Sequence, residues 1–304
     1  MKKMIIEEIC KKAKAASTQL AKASAEQKNK ALCSMADQLE KRCTEILQAN
    51  EKDVEAARAR GVKEALIDRL VLDKRRVESM ADNLRGLTKL SDPVNEIVKT
   101  WTRPNGLIIG QLRVPLGVIG IIYESRPDVT SEASGLCIKS GNAIILRGGS
   151  DAINSNMAIG NALRAALEET GLTKDIIQVV PVTERSYAEQ LMKMRECIDV
   201  LIPRGGANLI KTVVEKATVP VIETGTGNCH IYVEEDADLK RAVDIIINAK
   251  CQRPGTCNAE EKLLVHKQVA KTFLPTIVNA LVKNGVEVRG CRKTVAAVPK
   301  VKPA

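Results

Sequence analysis

From residue 107 onward, short runs of Ile, Val and Leu punctuated by glycine alternate with amphipathic stretches, and this alternation constrains the fold more than any other feature. Residues 107–113 and 116–123 suit strands, a helix fits about 128–140, and Ala143–Leu146 is a further apolar run. Residues 151–169 have helical spacing and end near Gly171. Strand-like Ile177–Val180, a helix near 184–194, Val200–Ile202, a helix after Gly205 and Gly206, and Val219–Ile222 continue the series. A parallel strand covered on both faces has no polar side to show, so it reads as a continuous apolar run between helices. The expected architecture is a Rossmann-like α/β domain with a parallel sheet.

The flanks differ. The first 90 residues read as helices: Ser24 followed by Gln27 is a capping-box pattern, Leu32, Met35, Leu39, Cys43 and Ile46 mark one helical face, and Gly61 closes a further stretch. Val77, Met80, Leu84 and Leu87 mark another helix that stops before Pro93. A new segment begins near residue 235, with Asp236 as cap of a helix through 238–250, a turn from Cys251 to Cys257, a strand at Leu263–His266, a helix over 267–283 and a polar, Pro-containing tail. The expected domains are therefore 1–234, a dinucleotide-type α/β domain with N-terminal helices, and 235–304, a small, incomplete α/β domain.

Charge and composition narrow the function. The net charge is +10, but Lys and Arg are spread among acids, and the most basic stretch, Lys2–Lys30, has the spacing of a solvated helical face. With one Trp, three Tyr and one Phe there are few platforms for stacking bases, which argues against nucleic acid as partner. A positive field does favour anionic substrates. Nine cysteines without a CxxC pair, beside only two histidines, argue against a metal site. No secretion signal opens the chain, and the longest apolar run, Val114–Tyr123, is half the ~20 residues that span a bilayer. The expectation is a cytoplasmic protein with reduced thiols.

Three loops carry candidate chemistry. Arg147-Gly148-Gly149-Ser150 lies between a strand and a helix, where free backbone N–H groups meet phosphates; a tight turn with an incidental arginine is the plain alternative. Arg204-Gly205-Gly206 is a second such turn, equally readable as a simple connection. In the third, Gln252-Arg253-Pro254-Gly255-Thr256-Cys257-Asn258, a cysteine sits between Gly and Pro beside an arginine; a cation or a following helix N-terminus favours thiolate at such places. Cys33 and Cys43, on apolar helical faces, read as core. His230 and His266 read as structural, so a papain-like Cys–His pair is not supported. Glu223, after an apolar strand and before glycines, reads as a surface residue or a group facing a cleft.

Together these segments resemble one family. The run Val114–Thr130, with Tyr123-Glu124-Ser125-Arg126-Pro127 at its centre, is similar to the signature of the gamma-glutamyl phosphate reductases (glutamate-5-semialdehyde dehydrogenases) of the aldehyde dehydrogenase superfamily. Lys139–Ser150, Leu201–Gly206, Val221–His230 and Lys250–His266 match it in the same order. The resemblance implies an aldehyde-dehydrogenase-like fold and an NADPH-dependent reduction of gamma-glutamyl phosphate to glutamate-5-semialdehyde in proline biosynthesis. It places Cys257 as nucleophile, Asn258 with the backbone N–H of Cys257 at the oxyanion, and Glu223 at the superfamily's general base. It assigns Arg147, Gly148, Gly149, Ser150, Gly205 and Gly206 to the cofactor, and Ser125 and Arg126 to the substrate's phosphate or carboxylate. Two partners come with it, a second copy of the full-length chain and a glutamate 5-kinase.

Family members continue past the point matching Ala304, so the chain reads as C-terminally truncated. Three functions compete: a reductase, an inactive NADPH-binding fragment, and a basic nucleic-acid-binding protein suggested by charge alone. NADPH binding separates the first two from the third, and turnover separates the first from the second.

Overall fold

The protein is described here from a computed structural model covering residues 2–62, 64–225, 227–254 and 256–304. It divides into two compact units, 1–224 and 225–304. The division falls ten residues before the expected boundary because Cys229–Val233, unnoticed in the sequence, is a strand that pairs within the second unit.

The first unit opens with helices α1 (Lys2–Leu20), α2 (Ala25–Lys41), α3 (Cys43–Ala59), α4 (Glu64–Leu70) and α5 (Lys74–Thr88). Ser24 caps α2, its hydroxyl accepting the Gln27 N–H at 3.1 Å, and Gly61 ends the α3 segment with φ of 72°. Two readings of this region need correction. Cys33 is exposed on α2 rather than core, because Ala31, Leu32, Met35 and Ala36 take the buried face. Lys28 is not solvated: it is 1% exposed and pairs with Asp92 at 2.6 Å.

Strands β1 (Ile97–Thr102) and β2 (Ile108–Leu112) form an antiparallel hairpin. The sequence put 107–113 in the parallel series; instead it pairs with β1, where Lys99, Thr100 and Thr102 break any continuous apolar run. The hairpin leaves Ile97, Trp101, Ile108 and Leu112 exposed.

The βα series then runs β3 (Val118–Tyr123), α6 (Asp128–Lys139), β4 (Ala143–Arg147), α7 (Ile153–Glu169), β5 (Ile177–Val179), α8 (Arg185–Leu191), β6 (Val200–Arg204) and α9 (Ala207–Lys216). These strands form one parallel sheet in the order β5-β4-β3-β6. Val219–Ile222 adds only a single parallel bridge, Leu201 to Val221.

All six residues of β3 are buried, and alternate side chains serve opposite faces. Ile119, Ile121 and Tyr123 pack with α2, α5, α6 and α7, whereas Val118 and Ile122 pack with α1, α8 and α9. At Gly120 a Cβ would stand 2.6 Å from Leu201, so the strand passes its neighbour only with hydrogen there.

The second unit contains β7 (Cys229–Val233), α10 (Leu239–Cys251), β8 (Glu260–Val265), α11 (Lys267–Lys283), β9 (Arg289–Gly290), α12 (Arg292–Ala297) and β10 (Lys302–Pro303). β7 and β8 pair in parallel, and β9 and β10 form a second parallel pair within the segment read as tail. The cap of α10 is Asp238, not Asp236: its carboxyl accepts the N–H groups of Lys240 and Arg241 at 3.0 and 3.1 Å. Val233, Ile246, Phe273, Ile277 and Leu281 form this unit's core.

Candidate active site

The sheet turns from one winding direction to the other between β3 and β6, and the crevice beyond the carboxyl ends of strands at such a point is where α/β sheets hold ligands. β3, β4 and β6 deliver there the segments Glu124-Ser125-Arg126, Arg147-Gly148-Gly149-Ser150 and Arg204-Gly205-Gly206. The structure thus brings eight of the sequence-predicted residues to one rim.

The rim is tightly built. A Cβ on Gly149 would collide with the Ser125 hydroxyl and stand 2.8 Å from its backbone nitrogen, and one on Gly205 would stand 2.7 Å from the Glu124 side chain. Gly206 donates its N–H to Glu124 Oε1 at 2.7 Å. Beneath Gly148 runs a buried chain: Tyr123 Oη to Thr130 Oγ1 at 2.8 Å, then Thr130 Oγ1 donating to Asn156 Oδ1 at 3.1 Å. Burial pushes the Tyr123 phenol far above its ordinary range, so it remains a neutral packing group.

The two glycine turns lead into helices of different character. The N-terminus of α7 is already satisfied by Asp53 from α3, whose oxygens accept from Asn154 N and Nδ2 at 3.3 and 2.8 Å and from Ser155 N and Oγ at 2.8 and 2.6 Å. Asn50 locks the same corner through Leu70 O, Leu72 N and Ser155 Oγ. These N–H groups of α7 are therefore taken, by a residue about a hundred positions away that no local motif announces, whereas Asp53 accepts nothing from the Arg147–Ser150 turn itself. By contrast the N-cap residue of α9, Gly206, offers no capping side chain; its own N–H goes to Glu124, and the next N–H groups, of Ala207 and Asn208, have no side-chain partner among the described residues.

Arg147 is also partly committed. Its Nη1 donates to Gly148 O at 3.1 Å and its Nη2 to Thr183 O at 2.7 Å, clasping the turn to the segment after β5. Burial, then repulsion from Arg185, lowers its pKa. Arg126 is half-buried and makes no side-chain hydrogen bond or ion pair among the described residues. Its pKa falls through burial first, then the charges of Arg69 and Arg204. Arg69, on α4, joins Ser125, Arg126, Glu124 and Asp151 around a pocket of about 230 Å³. Sequence reading missed Arg69 because a lone arginine on a short helix carries no local signal.

Cys257 lies in the second unit on an exposed turn between α10 and β8. The turn runs into a strand, so no helix N-terminus follows it. Its carbonyl accepts from Cys229 Sγ at 3.4 Å, and a Cβ on Gly227 would stand 2.9 Å from that oxygen. Among the described residues neither the Cys257 N–H nor the exposed Asn258 amide has a hydrogen-bond partner, leaving two donors free in this turn. Gly255 of this loop and Thr226 of the Val221–His230 motif lie outside the described residues. Glu223 is exposed and belongs to the first unit. His230 contacts Asn228 O at 2.6 Å, and His266 lies 3.4 Å from Glu235. Among the described residues there is no metal-binding cluster, and no helix is long and apolar enough to cross a membrane.

Fold and site define an α/β oxidoreductase of the aldehyde dehydrogenase class, and a model described as "Aldehyde dehydrogenase family" matches residues 1–294. The gamma-glutamyl phosphate reductase of Thermoanaerobacter pseudethanolicus is 57% identical over 99% of this chain and 73% of its own length. The crystal structure of the Thermotoga maritima gamma-glutamyl phosphate reductase superposes with a TM-score of 0.92 at 54% identity, over 98% of this chain and 72% of that one. That of Saccharomyces cerevisiae gives 0.66 at 29% identity, over 97% and 74%. The chain belongs to the aldehyde dehydrogenase family, in its gamma-glutamyl phosphate reductase branch.

The family uses nicotinamide cofactors. The residues here fit a dinucleotide: Gly149 and Gly205 let the strand-end turns close tightly on Ser125 and Glu124, and the Ala207 and Asn208 N–H groups at the start of α9 would be available to a pyrophosphate.

Proposed function

We propose that this chain reduces gamma-glutamyl phosphate to glutamate-5-semialdehyde and phosphate with NADPH, through a thioester on Cys257. The observation that carries the reading is the 57% identity to a gamma-glutamyl phosphate reductase across 99% of the chain. Unit 1 holds the cofactor, and unit 2 presents the nucleophile.

The Cys257 thiolate attacks the acyl carbon, the acyl–phosphate bond breaks, and inorganic phosphate leaves with the electron pair. A thioester remains on the sulfur. The oxyanion that forms during attack is met by the Cys257 N–H and the Asn258 amide, two donors of this turn that have no partner among the described residues. When bound, the nicotinamide cofactor would supply a hydride, which a thioester carbonyl accepts more readily than a carboxylate does; the carbon–sulfur bond then breaks, releasing the aldehyde and restoring the Cys257 thiolate. On the other unit, the uncapped start of α9 takes the pyrophosphate, while Gly148, Gly149 and Ser150 shape the ribose side. Arg147, with Arg185 beside it, supplies positive charge for the 2′-phosphate that distinguishes NADPH from NADH. Glu223 has no step here, since phosphate rather than water discharges the acyl group in the reverse direction.

The test is reduction of NADP⁺ by the chain with glutamate-5-semialdehyde and inorganic phosphate, beside the Cys257→Ser and Arg185→Ala variants. Phosphate-dependent turnover, lost in Cys257→Ser, is expected, with Arg185→Ala weakening NADPH more than NADH. Cofactor binding without turnover would reduce the reading to a nucleotide-binding fragment.

A further inference from the structure

We infer that the pocket between α4, the end of β3 and the turn at Asp151 recognises the α-amino-acid head of the substrate, with Arg69 and Arg126 facing its carboxylate and Glu124 its ammonium group. The inference rests on the proposed reading, because the non-reacting end of gamma-glutamyl phosphate is an α-amino acid.

Three observations support it. Arg126 is half-buried yet has no hydrogen-bond or ion-pair partner among the described residues, and Arg69 from α4 lines the same pocket. Burying a guanidinium beside other cations is unfavourable, as the lowering of its pKa by burial and by Arg69 and Arg204 reflects. An anion placed between Arg69 and Arg126 removes that penalty, and a planar carboxylate suits the guanidinium fork.

The lining charge decides which anion. Glu124 and Asp151 line the same pocket as the two arginines. A phosphate would meet both, whereas a zwitterion of no net charge would not be repelled. Asp151 is already bound by Arg60 at 2.7 Å. Glu124 uses Oε1 for the Gly206 N–H, and Oε2 has no donor among the described residues, so it is the oxygen left for an ammonium group. Leu66 and Leu70 supply an apolar wall for methylene groups. The volume, about 230 Å³, is below the roughly 300–1,000 Å³ of sites for larger ligands and suits a small metabolite.

Glu124 also joins the pocket to the crevice, because the same side chain that offers Oε2 here holds the turn before α9 through Oε1. Occupancy of the pocket is thereby tied to the order of the Gly205-Gly206 turn.

The test is titration of L-glutamate, glutarate and 4-aminobutanoate into the 304-residue chain, followed by ligand-observed NMR. Glutarate lacks the ammonium group and 4-aminobutanoate the α-carboxylate. L-glutamate should bind saturably and more tightly than either analogue. Arg69→Met and Arg126→Met should each weaken it at least tenfold, with NADPH affinity as the control for folding. Glu124→Gln, which keeps an oxygen for Gly206, should weaken L-glutamate and leave glutarate unchanged. Absence of saturable L-glutamate binding, or equal affinity in the arginine variants, overturns the assignment. If L-glutamate binds as expected but glutamate-5-semialdehyde is not turned over, the proposed activity fails and the pocket stands. If turnover is present and the arginine variants change neither KM nor L-glutamate affinity, the pocket fails and the activity stands.

Discussion

The two units are built by opposite means. In the first, β3 is buried along its whole length, β4 along all but its last residue, and helices cover both faces. A buried polar corner around Asp53 and Asn50 ties α3, the end of α4 and the start of α7 together. In the second, β7 and β8 alternate between exposed and covered residues, and α10 has a single fully buried residue, Ile246. The unit that would bind the cofactor is tied together by buried non-local hydrogen bonds, whereas the turn carrying Cys257 in the other unit is exposed and held by few contacts. Stability is seldom uniform across such a chain, and the lightly buried part opens first.

Asp53→Ala gives the largest effect expected. It leaves four donors around Asn154 and Ser155 without their acceptor and removes the cap of α7, which should cost about 3 kcal/mol. Denaturant unfolding followed by circular dichroism measures this, with Cys257→Ala as the exposed counterpart, expected within ~0.5 kcal/mol of the parent. Equal losses would erase the contrast between the units.

Gly149→Ala comes next. Its methyl group meets Ser125 and would cost about 2 kcal/mol through displacement of that loop. Cofactor affinity should fall with it, and full affinity in the alanine variant would show that the close packing of Gly149 on Ser125 is not needed for binding.

A smaller effect, of opposite sign, is expected at Glu260 in the second unit. This carboxyl is 5% exposed, its Oε1 has no partner, and burial raises its pKa against the pull of Lys250. A carboxyl with a raised native pKa keeps its proton longer when folded. Stability is then greatest below the ordinary carboxylate range and falls as pH rises from there through the raised native value. Glu260→Gln should therefore stabilise the protein at neutral pH, by about 1 kcal/mol, and flatten this slope. An unchanged pH dependence of the melting temperature would show that the buried carboxyl is not the cause.

The smallest effect concerns thiol reactivity. Cys10 and Cys137 of the first unit are buried with their thiols pushed up to about 12, and should alkylate last. Cys257 and Cys291 of the second unit are exposed. Hydrogen bonds from the Thr294 hydroxyl, then the N–H groups of Thr294 and Lys293, hold Cys291 below the ordinary thiol range, so on acidification it should keep more of its rate than free cysteine does. Peptide mapping of alkylated protein across pH decides this; early labelling of Cys10 or Cys137 would mean that the first unit opens more readily than its burial implies.

The sequence was most legible where one physical rule acts along a short stretch. Apolar runs between helices located β3, β4, β5 and β6, and the range read for the 267–283 helix matches α11. The Arg147–Ser150 and Gly205–Gly206 turns were legible because glycine turns after strands are local signals, whereas Ser125 and Arg126 were reached only through the family resemblance. Reading failed where the determinant is distant. Asp53 caps a helix a hundred residues on, Arg69 reaches the pocket from α4, and Cys229 meets the Cys257 carbonyl only because β7 lies beside β8. β7 itself, Cys229–Val233, is half exposed and begins with polar residues, so it lacked the continuous apolar run that marked its buried counterparts.

The central claim, that Cys257 carries the acyl group, has one direct measurement. The chain is incubated with glutamate-5-semialdehyde and NADP⁺ without phosphate, so that nothing discharges the thioester, and its peptides are weighed. The account predicts one glutamyl adduct, on the peptide bearing Cys257, that disappears when phosphate is added. No adduct, or an adduct confined to another cysteine such as Cys291, would contradict it.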